Sequence, residues 1–551
     1  MLKNIFITIL LICSVLVVWG QKSVKVKVSG NIITTDGVPA EFINIQLKNT
    51  FYGGTSDGKG YFEFMAPAGQ YTMIVQSIAA HRREFPVTIE EGKENHFADI
   101  EIRENVNQLE QVVVTGQFSP QSMRNSLYKV RTVNSEQIRQ KAPTSVQSLL
   151  NTEIGIRLSN DMALGETDFE LMGMSGNNVK ILLDGIPLID RGATKQSLSQ
   201  LDVNSIERVE IVEGPMSVVY GTDALAGVIN IITKKGDGYS EENTWRVGAR
   251  VQEESMGKEY DFFKDKGLHN ESIDLGFNHK SGLFVNGGYT RNNHGGWQGD
   301  LTGREKRWHP KDQALMNGMF GFQNRNMNVW YRLDFLDEKI FGPNNGSELQ
   351  PEKVSDKDFL TKRYTHQLQS DWKLDNRLDV HAALSYQDYK RRTRTTESDL
   401  STGEKWLSSA EASQDITQYK AWIARATVAW NIAPEFSVQP GVEYQWTQGE
   451  GGRIDGTPKV SDLAFFLSAE YKPWEWLSLR PGVRTFIVAD YDAPIAIPSV
   501  LTKFKLTKHM DLRLSYAYGF RSPTLQELYF SFHNDNHDID GNPDLKAEYS
   551  H

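Results

Sequence analysis

The run FHNDNHDIDGNPDLKAE, residues 532–548, sets two histidines, His533 and His537, among carboxylate and amide side chains. Imidazole is the side chain best suited to hold a metal at neutral pH, so this run is the first place to look for chemistry. Asp538, Asp540 and Gly541 also stand where a calcium loop places ligands and its sharp turn. Asn536 occupies the place of the first aspartate and Ala547 that of the bidentate glutamate, so no calcium site is read here. Elsewhere the sequence offers no H-E-x-x-H pair and no nucleophile with a base at working spacing. The single cysteine, Cys13, lies in the apolar start of the chain. Disulfides, thiolate metal sites and cysteine nucleophiles are thereby excluded, and neither an enzyme nor a resident cofactor or metal is predicted.

A second stretch poses a different problem. LEQVVVTGQ, Leu109 to Gln117, places Val112, Val113 and Val114 between two polar segments. β-Branched residues in a row form a strand readily, yet no turn and partner strand lie beside this one in sequence. It is the last strand of the domain before it, the first of the domain after it, or an edge that another protein completes by strand addition.

The elements that position these residues are set by the rest of the chain. Its 551 residues, with 60 Lys+Arg against 70 Asp+Glu and a net charge of −10, leave room for several domains or one large barrel. An acidic balance excludes nucleic acid as a general partner. Residues 1–20 read as a secretory leader, with Lys3 ahead of an apolar stretch from Ile5 to Trp19 and a mature start near Gln21. Beyond it no run approaches the roughly 18 apolar residues of a membrane helix, so a membrane could be crossed only by a closed barrel.

Residues 21–104 read as a small β-sandwich, short strands separated by turn signals. Asn134 to Asn151 carries helical spacing, Val179 to Asp190 a buried strand and a turn, and Ser205 to Gly236 two strands around a glycine-bearing loop. From about Trp245 the texture becomes strict alternation. In YKAWIARATVAWNI, Trp422, Ala424, Ala426, Val428 and Trp430 share one face while Ile423, Arg425, Thr427 and Ala429 share the other. Arg425, Glu443, Arg480, Arg484 and Arg513 all take the inward parity, the reverse of a soluble barrel. Short links alternate with long polar ones, and Trp372, Trp430, Trp446, Trp474 and Trp476 sit near strand ends, as in an outer-membrane barrel with an aromatic girdle.

Together these stretches resemble a TonB-dependent outer-membrane receptor. IERVEIVEGPMSVVYGTDALAGVINIITKKG is similar to the end of that family's plug, with Gly214, Pro215, Tyr220 and Gly221 in order, and VKILLDGIPLID resembles an earlier plug strand with its Asp184-Gly185 turn. DGKGYFEFMAPAGQYTMIV resembles the carboxypeptidase regulatory-like domain. EQVVVTG, comprising Glu110, Gln111, Val112, Val113, Val114, Thr115 and Gly116, resembles the TonB box, a flexible segment that pairs in trans with the inner-membrane energy transducer.

The resemblance implies a mainly β chain: leader 1–20, sandwich 21–104, box and linker 105–117, α+β plug 118–238, and transmembrane antiparallel barrel 239–551. About thirteen strand-like segments stand against 22 in the family, and the closing YSH lacks the usual aromatic end, so C-terminal strands are expected to be missing. Two departures, Leu171-Met172-Gly173 and Glu213, discourage copying the family's plug-to-barrel ion pairs.

The implied activity is import of a scarce iron complex, a ferric siderophore first, with TonB, the iron complex and outer-membrane lipid as partners. FRSP, Phe520 to Pro523, and NPDL, Asn542 to Leu545, bracket His533 and His537 as haem receptors of the family bracket an axial histidine, so a haem importer is one alternative. A cobalamin receptor and a signalling receptor are the others.

Overall fold

The computed structural model describes residues 25–34, 39–40, 43–77, 80–102, 112–116, 121–123, 126–161, 166–189, 196–236, 242–375, 377–410, 412–451, 453–489, 491, 493–507, 510–534 and 537–551. The leader with Cys13, the start at Gln21, and Glu110 and Gln111 lie outside the described residues. Two compact units divide between Val112 and Val113.

Alternating apolar residues build the first unit as two sheets. One has the order Tyr61–Pro67, Lys25–Thr34, Asn95–Ile102; the other Gly53–Thr55, Asn44–Leu47, Gly69–Ser77, Ala80–Ile89. Their inner faces bury Val28, Ile32, Ile45, Leu47, Phe62, Met73 and Val75 in one core. The DGKG turn is closed by Asp57, whose Oδ1 accepts from the Lys59 and Tyr61 amides.

The second unit begins with the α+β region. Its sheet runs Val130–Val133, Ile206–Glu213, Gly227–Thr233, Val179–Leu183, Ile186–Pro187, and Gly227–Thr233 is parallel to Val179–Leu183. VKILL and GVINIIT are buried at every position, which explains why both read as unbroken apolar runs rather than alternation. The helical spacing resolves into Ser135–Lys141 and Val146–Leu150, each started by a capping box, Asn134 with Gln137 and Ser145 with Ser148. Asp184 and Gly185 both have positive φ, 51° and 84°, in a two-residue hairpin turn between Leu183 and Ile186.

From Thr244–Glu254 to Met510–Ala517, thirteen strands among the described residues pair antiparallel in chain order; the short Lys405–Leu407 adds to the side of Leu378–Asp399. This sheet curls around the α+β region. Arg250 on its first strand donates to Asn204, and Arg513 on its last donates to the Ser126 carbonyl. The parity read from sequence holds: Trp422, Trp430, Leu467 and Tyr444 face outward, while Arg480 and Arg484 are only 2% and 1% exposed. Outward Trp474 and Trp476 stack at 5.3 Å beside a short turn.

The long polar links expected near Arg291 to Gln313, Asp337 to Thr361, Lys390 to Thr417 and Thr447 to Ser461 are partly strand. Met327–Gly342, Lys353–Lys373 and Leu378–Asp399 run on far past the 9–11 residues that a bilayer requires. Above lipid neither face need be apolar, so the ladder continues where the alternation stops.

A charge placed on the outward apolar band should be costly. Leu467, 45% exposed in mid-strand, when changed to arginine should lower stability in lipid vesicles by about 2–4 kcal/mol. Ser461→Arg, near the strand's outer end, should cost about 0–1 kcal/mol in the same urea titration.

Candidate functional site

The valine segment is held inside the second unit by one buried carboxylate. Glu210, on Ile206–Glu213, is 0% exposed. It accepts from the amides of Val114 (3.0 Å) and Thr115 (2.8 Å), from the Thr115 hydroxyl (2.6 Å), and from Arg208 Nε (2.9 Å). Val113 packs with Leu127, Tyr128, Leu182, Val212 and Val228. The Gly116 amide donates to the Tyr220 hydroxyl at 3.1 Å, and its carbonyl accepts from Arg480, which also pairs with Glu470. Arg480 lies near the short-turn end of Leu477–Ala489, so the segment docks at that rim.

A free-edged strand in flexible linkers was the expectation; the structure instead pins and buries it. Val112–Val113 pairs with the two-residue strand Gln121–Ser122, too short to be seen as a partner in the sequence. Glu210, Asn230 and Arg480 are the residues sequence reasoning missed here, although Arg480 was read as inward-facing. A signal existed: a lone polar residue in the apolar run GVINIIT has to find a buried partner. Asn230 donates from Nδ2 to Thr115 Oγ1 at 2.9 Å and accepts at Oδ1 from the Gly185 amide at 2.9 Å.

The other plug residues fall into place around it. Asp184 accepts from the Thr233 amide and hydroxyl, fixing the turn to the end of its neighbouring strand. Gly214 donates to the Ala226 carbonyl, and Pro215 abuts Gly519 of the barrel. At Gly221, φ +74°, a side chain would meet the Arg484 guanidinium at 3.1 Å. That guanidinium and Arg425 share Glu443 at 2.6 and 2.8 Å, and the Arg425 guanidinium lies over the Tyr220 ring. Glu213 pairs with Lys129 and Arg131 inside the plug, so it makes a local contact where a plug-to-barrel pair was not to be assumed.

At the long-loop end, Lys357, Arg391 and Arg453 with Phe359, Tyr419 and Phe532 line a cavity of about 390 Å³, and Asp415 is the one acid on its wall among the described residues. Arg391 stacks over Phe359 and Arg453 over Phe532. A second cavity, of about 170 Å³, shares Tyr419 and Gln526 with it and is walled by Lys180, Ile189, Asp462 and Ser522.

FRSP and NPDL shape the wall. Gly519–Arg521 pairs with Glu548–Ser550, Arg521 bridges Glu527 and Glu548, and the Ser522 amide donates to Thr222 of the plug. His533 lies on the hairpin Ser531–Asn534 with His537–Asp540, half-exposed, with both ring nitrogens engaged: Nδ1 with Asp538 at 2.6 Å, Nε2 with Asp540 at 3.0 Å. This trio is the one metal-type cluster among the described residues. A haem iron is bound through a free ring nitrogen, and here both nitrogens of His533 carry hydrogen bonds. The carboxylates raise the His533 pKa. His537 stands opposite Asn534 in the hairpin register.

Residues 122–228 match the TonB-dependent Receptor Plug Domain family, residues 218–551 the TonB dependent receptor-like β-barrel family, and residues 28–114 the CarboxypepD_reg-like domain family. The Iron-regulated outer membrane virulence protein of Vibrio cholerae is 24% identical over 473 residues, covering 80% of this chain and 64% of its own length. The Vitamin B12 transporter BtuB of Vibrio vulnificus is 32% identical over 139 residues, 25% of this chain and 23% of the transporter. The chain thus spans under two thirds of either relative. Among solved structures, a mutant of the ferric enterobactin receptor PfeA of Pseudomonas aeruginosa superposes with TM-score 0.57 at 16% identity, covering 76% of this chain and 67% of that one. The siderophore receptor PiuA of Acinetobacter baumannii gives 0.55 at 12%, covering 80% and 71%. At such identities the likeness is one of fold.

Two outcomes are expected. Glu210→Gln loses the charge that strengthens these hydrogen bonds, each worth about 1.5–3 kcal/mol when charged, and should speed proteolysis within residues 112–116 about 10-fold or more. His533, its pKa raised above 6.5 in the folded hairpin, contributes stability that is complete below that value and is lost as pH rises through the raised one. Amide protection in 531–540 should therefore fall on the alkaline side of 6.5, and His533→Ala should abolish that dependence.

Proposed function

Because the chain belongs to the TonB-dependent receptors, a family of receptors rather than enzymes, we propose that it imports an anionic iron complex, a ferric siderophore, across an outer membrane with energy delivered by TonB. In this reading residues 1–20 are a leader, 21–104 a periplasmic sandwich, 105–117 the TonB box with its linker, 118–238 the plug and 239–551 barrel strands.

The observation that carries the ligand class is the cavity at the long-loop end. Among the described lining residues three cations, Lys357, Arg391 and Arg453, face one acid, Asp415, in a concavity, and the aromatic walls suit a planar ligand. Such a field concentrates a polyanion and repels a cation. Ferric siderophores with deprotonated chelating groups are of that type. The iron-regulated relative and the siderophore receptors of the same fold agree with it. Against the haem alternative, both ring nitrogens of His533 already carry hydrogen bonds to Asp538 and Asp540.

Transport then has a mechanical reading. Ligand in the cavity biases the plug through differential affinity for its two arrangements, Val112 to Gly116 leaves Glu210, and the freed strand adds to TonB through its backbone edge. Pulling on it loads Ile206–Glu213 and Arg480, drawing the plug away from the wall.

Iron-limited cells relying on this receptor should grow on a ferric tricatecholate, and Lys357→Ala, Arg391→Ala and Arg453→Ala together should weaken ferric enterobactin binding about 10-fold or more. Growth of those cells on hemin alone, or receptor-dependent cobalamin uptake without ferric tricatecholate uptake, with the triple variant unaffected, would refute the siderophore reading.

A further inference from the structure

One plug segment, Gly185 to Ile189, reaches the residues that line the long-loop cavity at one end and, through Asn230, the box at the other. Ile189 packs against Tyr389, Tyr419, Ile454 and Leu525, and Tyr419 and Ile454 also line the cavity of about 390 Å³. From Ile189 the chain runs back through Pro187 and Ile186 to Gly185 and Asp184. Barrel side chains grip this strand by its backbone. Gln387 donates to the Pro187 carbonyl at 2.7 Å and accepts from the Ile189 amide at 2.9 Å; Gln369 donates to the Asp184 carbonyl at 2.9 Å.

Gly185 sits at the lower end of this grip, level with Gln369 near the short-turn end of Lys353–Lys373. Its amide has one acceptor outside the turn, Asn230 Oδ1, and the other end of the same side-chain amide donates to Thr115. Asn230 is 2% exposed, so water cannot replace either bond when one partner moves. An amide group is planar and rigid: shifting the acceptor end reorients the donor end. Displacing the Gly185 amide therefore withdraws a hydrogen bond from the Thr115 hydroxyl, whose own donation to Glu210 it polarises.

We propose that Asn230 is the positioning residue that couples the apex strand Gly185 to Ile189 to the docked box. This rests on reading residues 112–116 as the TonB box. Glu210 sets how tightly the box is held; Asn230 makes that hold depend on what the apex strand does.

The test needs neither ligand nor TonB, so it fails or succeeds apart from the transport reading. Full-chain receptor carrying Cys13→Ser and Val113→Cys is reconstituted in lipid vesicles, and the rate at which a polar maleimide modifies the introduced thiol reports undocking. Gln387→Ala, which removes two bonds to the apex strand and loosens it, should accelerate labelling by about 5-fold, the worth of the one Asn230–Thr115 hydrogen bond withdrawn from the box. Adding Asn230→Leu should raise the baseline and reduce the response to Gln387→Ala to less than about 2-fold, because the bridge is gone. Thr115→Val cuts the same bridge from the box end and should silence the response equally, which keeps the test decisive if Asn230→Leu fails to assemble. With Glu210→Gln the baseline should rise while the response to Gln387→Ala survives. An undiminished response in Asn230→Leu or Thr115→Val, or no response with Asn230 and Thr115 intact, would overturn the proposal.

Discussion

A carboxylate with no access to water must have every strong hydrogen bond supplied by protein. Glu210 meets that demand largely with donors from one short segment, Val114 and Thr115, whose amides it accepts from in turn. The constraint is mutual. Neither partner is satisfied without the other or without water, so docking is cooperative and undocking admits solvent to both. Burial of Val113 adds roughly 1.5 kcal/mol of apolar stabilisation. The total is a few kcal/mol, of the order of the roughly 5.5 kcal/mol a ligand must supply in differential affinity to move a two-state equilibrium from one extreme to the other. A hold of that size can be both kept at rest and released on demand.

The barrel contributes on two levels. Along its lower wall, Arg480 holds the Gly116 carbonyl, and Arg484, Glu443 and Arg425 seat Gly221 and Tyr220. Higher up, glutamines on adjacent strands grip the apex strand through its backbone, where a side-chain change in the plug would leave the contacts intact. The cationic cavity lies above that grip. One continuous path of packed and hydrogen-bonded groups therefore runs from Tyr419 and Ile189 to Thr115.

Much of this architecture was legible in the residues. Alternation named the outward and inward faces strand by strand, because lipid on one side and a polar plug on the other impose a period of two. The Asp184-Gly185 turn and the helical character of Asn134 to Asn151 were equally plain, since both depend on local chemistry. What escaped was long-range. Glu210, Asn230 and Thr115 lie up to 115 positions apart and meet only because Ile206–Glu213 and Gly227–Thr233 pair in one register. Asn230, polar inside the apolar run GVINIIT, announced a partner without naming it. The valine strand was recognised, but a segment that resembles a binding epitope gives no hint of where it rests when unbound. At the other end, His533 lies in the bracket read from the sequence, and what the sequence did not show is that Asp538 and Asp540 bond to its ring.

Hydrogen exchange at the Val114, Thr115 and Gly116 amides tests the central claim most directly, since each is a donor in the docked segment. In receptor reconstituted without ligand all three should exchange slowly, with protection approaching that of the buried sheet around Ile229. On addition of the iron complex that supports growth, the three should become fast together while Ile229 stays protected. Fast exchange before the complex is added, or slow exchange persisting in receptor that is actively importing, would contradict the account.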